Sequence, residues 1–262
     1  MIRDFIAVLA MLVGTVAAAE DMRLAVTTSF DNSGLADILI PQIKADTGLD
    51  VHLLVVGTGQ ALRLGAAGDV DAVLVHSRSA EDAFLADGHG THRREIMYND
   101  FVLVGPSSLG VVATITQAMS VLAAINAPFI SRGDDSGTHK AEQRLWQAAG
   151  LNTAEFGNWY RSVGAGMGAA LNTASAMDAY VISDRASWLN FGNKGNLGIV
   201  FSGDPALFNQ YAYLPVNPDK GKNIRHSSAL QLEAWLTSDR AKALINGYQI
   251  DGQPLFVFNA TP

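Results

Sequence analysis

Short apolar runs alternate with helical patterns along most of this chain, and this alternation restricts the possible folds more than any other feature. Runs typical of strands occur at residues 23–27, 50–56 and 71–75, and helical spacing is found between them. Alternating strands and helices are typical of α/β folds with a mostly parallel sheet. The pattern therefore predicts a βαβαβ unit in the first third of the chain.

A second series of strand and helix patterns follows a long strand-like stretch at residues 96–104, which is closed by Gly105-Pro106. Further strands are predicted at residues 129–131, 179–183, 197–201 and 211–215. Two amphipathic helices near the C-terminus are placed to pack back on the first unit. We therefore expect an α/β protein with two lobes, one formed by residues 20–99 plus 213–262 and the other by residues 100–212.

The first nineteen residues differ from the rest of the chain. Arg3 precedes an unbroken apolar run from Phe5 to Val13, and Ala17-Ala18-Ala19 offers small residues for cleavage. The run is shorter than the ~20 apolar residues that a membrane-spanning helix needs. We expect residues 1–19 to be a signal peptide and the mature protein to be periplasmic. Asp4 offsets the charge of Arg3, so an uncleaved anchor stays an alternative.

Composition excludes several kinds of function. The 262 residues include no cysteine, which excludes disulfides, thiolate metal sites and cysteine nucleophiles. The chain carries 18 Lys and Arg against 25 Asp and Glu, a net charge of -7, so it has no broad basic face for a phosphate backbone. Nucleic acid is therefore not an expected partner.

Three loops share one chemical character, because each is rich in glycine and hydroxyl residues and lies between a strand and a helix. They are Thr27-Thr28-Ser29, Gly57-Thr58-Gly59 and residues 131–138. A helix N-terminus has free N–H groups and a partial positive charge, so it favours an anion. Ordinary helix capping is the alternative role for these serines and threonines. If the loops meet at the carboxyl ends of the strands, they would surround an anion.

Arg132 is the only fixed cation in the three loops. Its planar guanidinium can give two parallel hydrogen bonds to one oxyanion, so we expect it to be the main charge partner. The alternative is a surface arginine paired with Asp134 or Asp135.

These loops also resemble a known family. Thr27-Thr28-Ser29, Gly57-Thr58-Gly59-Gln60 and above all residues 131–139 are similar to segments of the tungstate-binding periplasmic proteins of ABC transporters. The resemblance implies a type II periplasmic binding protein: two mixed, mostly parallel sheets flanked by helices, with a hinge of crossing strands. It also implies closure on tungstate or molybdate and delivery to a permease with its ATPase. The protein itself is expected to be a monomer without a cofactor.

The same resemblance implies particular ligand-binding residues. The hydroxyl and amide donors fall on Thr28 and Ser29, and Arg132 and Thr138 also contact the oxyanion. Thr58 is transferred from the family in the same way, and Ser136 is added from its spacing. No side chain is expected to bind a metal ion directly, because the oxyanion would be held through its oxygens. Val26 departs from the family, whose members often have a third threonine there.

Two other functions stay open at the level of sequence. An exported serine hydrolase or phosphoesterase would use Ser136 as nucleophile or His139 as base, although the surrounding sequence lacks the glycine pattern of a nucleophile elbow. A binding protein for phosphate or a carboxylate would use the same loops as a tungstate-binding protein. We expect no enzymatic activity.

Overall fold

The computed structural model describes residues 21–261, so the signal peptide expected at residues 1–19 lies outside the described part of the chain. The strands in the described part are β1 (Asp21–Thr27), β2 (Asp50–Val56), β3 (Ala72–Val75), β4 (Arg94–Gly105), β5 (Phe129–Ser131), β6 (Tyr160–Ser162), β7 (Tyr180–Asp184), β8 (Gly198–Phe201), β9 (Phe208–Pro215), β10 (Gln249–Ile250), β11 (Gln253–Pro254) and β12 (Val257–Phe258).

Helices connect most of these strands. They are α1 (Thr28–Asn32), α2 (Leu35–Thr47), α3 (Thr58–Ala67), α4 (Arg78–Ala86), α5 (Ile115–Ala124), α6 (Gly137–Ala148), α7 (Met167–Met177), α8 (Arg185–Asn190), α9 (His226–Leu236) and α10 (Asp239–Gly247). Within residues 21–261, none of these helices has the length and apolar character needed to cross a membrane.

Within residues 21–261, ten strands form one mixed sheet with the order β2-β1-β3-β9-β4-β7-β5-β6, and β8 and β12 also pair with β4. The pairs of β1 with β2 and β3 are parallel, as are the pairs of β5 with β6 and β7. Strands β4 and β9 run antiparallel to their neighbours. The predicted α/β architecture is therefore confirmed as a mixed sheet flanked by helices.

Strand β4 divides this sheet into two parts. Its residues Arg94 to Asp100 pair with β9, whereas Phe101 to Val104 pair with β7. We call the part with β1, β2, β3 and β9 the first half-sheet, and the part with β5, β6, β7 and β8 the second half-sheet. Because β4 belongs to both, the two expected sheets are joined through one strand. The exact lobe boundaries stay a prediction.

The inner strands of each half-sheet are buried on both faces. In β1, Leu24 and Val26 face one apolar cluster and Ala25 faces another, as the period of two along a strand requires. In the second half-sheet, Leu103 and Val104 divide in the same way. Strands covered by helices on both faces are nearly continuous apolar runs. This burial explains why the sequence shows such runs.

Candidate anion-binding site

The carboxyl ends of four strands meet where the two half-sheets face each other. The residues that follow these strands are Thr28 after β1, Thr58 after β2, His76 after β3 and Arg132 after β5. Ligands of open α/β sheets bind at this edge. The structure thus brings the three predicted loops together and adds a histidine.

Arg132 lies at this edge and is only 3% exposed. Its Nε and Nη2 donate to Asp134 Oδ2 at 3.1 and 2.5 Å. Its Nη2 also lies 3.4 Å from Thr28 Oγ1, and Nη1 lies 3.5 Å from Thr138 Oγ1. Asp134 therefore holds one edge of the guanidinium, while the terminal edge faces the two threonines.

The two roles considered for Arg132, an anion partner and an arginine paired with an aspartate, are compatible in this geometry. The ion pair with Asp134 exists, but Arg132 is buried and Asp134 is partly buried, so this is not the surface arginine of the alternative. The pair still leaves the terminal edge available, because the threonine contacts are at the long limit of hydrogen bonding. Oxygens of an anion in better alignment would replace those contacts readily.

Thr58 has a buried hydroxyl to which no group of the described residues is hydrogen-bonded. It is the first residue of α3, after the extended N-cap Gly57, and it is 0% exposed. Its Oγ1 has no hydrogen-bond partner among residues 21–261. Gly57 faces the loop of Arg132, because a Cβ at Gly57 would lie 3.8 Å from Ser136 Cα. The hydroxyl is therefore a donor available to a ligand between the half-sheets.

Ser29 is more strongly engaged within the protein. Its Oγ lies 3.0 Å from Thr27 Oγ1 and 2.9 Å from His76 Nε2, and the Tyr211 hydroxyl donates to it at 3.3 Å. A hydroxyl with three protein partners orders its surroundings before any ligand arrives. The direct ligand contact expected for Ser29 stays a prediction.

His76 is the site residue that the sequence analysis did not single out. It is buried against the Tyr211 ring, at 4.8 Å between ring centroids, and a Cβ at Gly137 would lie 2.4 Å from its Cε1. Burial, and then the positive charge of Arg132, lower the pKa of His76 to about 3. The ring is therefore neutral at physiological pH. Its position directly after the predicted third strand, like that of the three loops after their strands, is the sequence feature that could have identified it.

Ser136 and Thr138 form the N-terminal turn of α6. The Ser136 hydroxyl accepts from the His139 main-chain N–H at 3.1 Å, so Ser136 caps the helix. The contact between these residues therefore involves the backbone of His139 and gives the serine hydroxyl the role of an acceptor. A nucleophile activated by a histidine would instead need the imidazole as its base.

A buried carboxyl lies behind the loop of Arg132. Glu142 accepts from the Tyr160 hydroxyl at 2.7 Å and from Trp146 Nε1 at 3.1 Å. Desolvation raises the pKa of Glu142 to about 7, although these donors oppose the shift. The second half-sheet thus buries an acid, whereas the first buries the neutral base His76.

Known proteins are similar in sequence to this chain along nearly its whole length. A family model described as a PBP superfamily domain matches residues 14–240. The chain is 45% identical over 245 residues to the tungstate-binding protein TupA of Peptoclostridium acidaminophilum, an alignment that covers 90% of this chain and 85% of the relative. The chain belongs to the family of tungstate-binding proteins.

Two solved structures of tungstate-binding family members agree with this assignment. The chain is 40% identical to the tungstate-binding protein TupA of Desulfovibrio alaskensis G20, with a TM-score of 0.81 and coverage of 93% of this chain and 100% of that one. It is 42% identical to the tungstate ABC transporter protein of Geobacter sulfurreducens, with a TM-score of 0.81 and coverage of 88% and 100%. The predicted family and the type II binding-protein fold are confirmed.

Proposed function

We propose that this chain binds tungstate between its two half-sheets and delivers it to the permease of an ABC importer. The observation that carries the proposal is the terminal edge of Arg132, which faces Thr28 and Thr138 where the unpartnered Thr58 hydroxyl is also buried. These donors come from both half-sheets. An anion held among them would link the two parts of the molecule.

The chemistry of the donors suits a tetrahedral dianion. One guanidinium supplies charge, and hydroxyl and helix N-terminal groups supply hydrogen bonds without adding fixed charge. The neutral state of His76 keeps a second cation out of the site. The proposed ligand-binding residues are Thr28, Ser29, Thr58, Arg132, Ser136 and Thr138.

Closure of the cleft completes the proposed mechanism. The lobes comprise residues 20–99 plus 213–262 and residues 100–212, with hinge segments at residues 100–104 and 209–215. These segments lie in β4 and β9, the neighbouring strands where the half-sheets join. A ligand that contacts both lobes stabilises the closed form by its differential affinity for that form.

The proposed setting is the periplasm, reached through the signal peptide, where the protein acts as a monomer. The permease and its ATPase are separate chains. Molybdate is the second proposed ligand, because its dianion nearly matches tungstate in size and charge.

The enzyme alternative is not supported. The TupA relatives are named as binding proteins, and Ser136 has the geometry of a helix cap. We therefore assign no reaction to Ser136 or His139.

Calorimetric titration of the mature protein tests the proposal directly. We expect tungstate to bind with micromolar or tighter affinity and to be displaced by molybdate more effectively than by sulfate. Sulfate is smaller, so donors set for longer metal–oxygen bonds would not all reach it. Phosphate and small carboxylates complete the competition series. Preferred binding of any of these over tungstate would replace the proposed ligand.

A further inference from the structure

We propose that Asp135 is an interlobe latch, a positioning residue whose carboxylate holds the cleft closed by docking on the first turn of α3. The latch does not touch the anion, and its effect on ligand release rests on the proposed function. Asp135 would thus be a residue of the Arg132 loop that sets the lifetime of the closed form.

Asp135 and α3 belong to opposite sides of the cleft. Helix α3 packs on β1, β2 and β3 of the first half-sheet, whereas α6, which directly follows the Asp135 loop, packs on α5 and β7. A contact between Asp135 and α3 therefore crosses from one half-sheet to the other. Any opening of the cleft must break it.

The contact depends on a glycine. A Cβ at Gly59 would lie 2.0 Å from Asp135 Oδ2 and 3.3 Å from the Asp135 carbonyl oxygen. Gly59 is the second residue of α3, so the carboxylate rests against the first turn of that helix. A side chain at this position could not coexist with the observed placement of Asp135.

The charges around Asp135 favour the closed arrangement. Arg63 Nη1 of α3 lies 3.5 Å from Asp135 Oδ2, and the N-terminus of α3 adds a partial positive charge. Lys140 of α6 also binds the carboxylate, and this bond chiefly lowers the pKa of Asp135. Lys140 moves with Asp135 when the cleft opens, whereas Arg63 and Gly59 do not. The contacts with α3 are therefore specific to the closed form.

The backbone of Asp135 allows a conservative test. Its φ is +57°, in the left-handed region, where Asp and Asn are tolerated better than other side chains with a Cβ. Asp135→Asn consequently removes the charge without adding backbone strain. Asp178 also has a left-handed φ, of +47°, and follows α7 of the second half-sheet, so Asp178→Asn is a matched control.

The first experiment needs no ligand. Since the chain has no cysteine, Ala83→Cys on α4 and Gln147→Cys on α6 give two unique positions for spin labels. Electron–electron resonance would measure the distance between the labels in the full mature chain. We expect Asp135→Asn to lower the ratio of closed to open molecules about three- to tenfold relative to the control. An unchanged distance distribution would overturn the latch.

The second experiment uses tungstate. We expect Asp135→Asn to raise the dissociation rate constant about three- to tenfold while the association rate constant changes little, because the latch acts after the anion has entered. Equal dissociation rates in Asp135→Asn and wild type would overturn the latch. Failure of the wild-type protein to bind tungstate would instead overturn the proposed function and leave the ligand-free distances as the test of the latch.

Gly59→Ala tests the contact between Asp135 and α3 through a change in α3. Alanine favours a helix more than glycine does, so the variant should fold at least as stably as wild type. The added Cβ should nevertheless displace Asp135 and raise the dissociation rate constant as Asp135→Asn does. Gly247→Ala, where a Cβ meets no atom within 4 Å, is the control. In the double variant Gly59→Ala with Asp135→Asn, fully additive effects would show that the two residues do not share one contact.

Discussion

The two faces of the cleft differ in their electrostatics. The first half-sheet contributes neutral groups: the hydroxyls of Thr28 and Thr58 and the uncharged ring of His76. The loop from the second half-sheet contributes Arg132 and Asp134, joined in a partly buried ion pair. If the proposed site is right, one face would supply the charge that attracts the anion, and the other would supply hydrogen-bond donors matched to its shape.

The largest loss of tungstate affinity is expected from removing the positive charge of Arg132. Arg132→Ala should weaken tungstate binding by about 2 to 4 kcal/mol, the range for truncating one member of a desolvated charged pair. Calorimetry would measure the loss. Arg161→Ala, on exposed β6 of the same half-sheet, is the control and should bind like wild type. A loss below about 0.5 kcal/mol would place Arg132 outside the site.

A smaller loss of tungstate affinity is expected from removing one hydroxyl of the neutral face. Thr58→Val keeps the shape of the side chain and removes its hydroxyl, so it should weaken tungstate binding by about 1.5 to 3 kcal/mol, the value of a hydrogen bond to a charged group. Because Oγ1 has no protein partner in the described chain, the thermal stability without ligand should be equal or higher. A less stable variant with unchanged affinity would assign Thr58 a structural role.

The buried titrating groups of the two faces should give opposite pH dependences of stability. As pH falls below 6.5, unfolded His76 takes up a proton, whereas the folded ring stays neutral down to about pH 3. His76 therefore lowers the free energy of unfolding by about 1 kcal/mol between pH 6 and pH 5. His76→Gln should remove this loss. Denaturant unfolding of both proteins at the two pH values measures it, and parallel pH profiles would contradict it.

Glu142 on the other side of the cleft should act in the reverse direction. As pH falls below about 7 the folded carboxyl takes up a proton before the unfolded one, whose pKa is 4.5. Protonation thus raises the free energy of unfolding by about 1 kcal/mol between pH 6 and pH 5. Glu142→Gln should remove this gain, so its stability should fall more steeply with acid than that of wild type. An unchanged slope would show that the carboxyl is ionised in the folded protein.

Much of the architecture is predictable from local pattern. Strands buried on both faces appear as apolar runs, and β1, β2 and β3 lie within a residue or two of the runs that predict them. Helix α4 and strand β6 were not predicted. In α4 only Glu81 and Phe84 are buried, so its apolar pattern is weak, and β6 has three residues without full burial. Such elements are fixed by neighbours that a local pattern does not show.

The candidate site likewise has features that the sequence predicts and features that it does not. The three loops are recognisable in the amino-acid sequence, because hydroxyl and glycine residues between a strand and a helix carry their chemistry wherever they lie. The three-dimensional packing is needed to show which edge of Arg132 is free, that His76 is neutral and that Asp135 contacts Gly59. Those properties depend on distances and burial between segments far apart in the chain, and neither spacing nor composition contains that information.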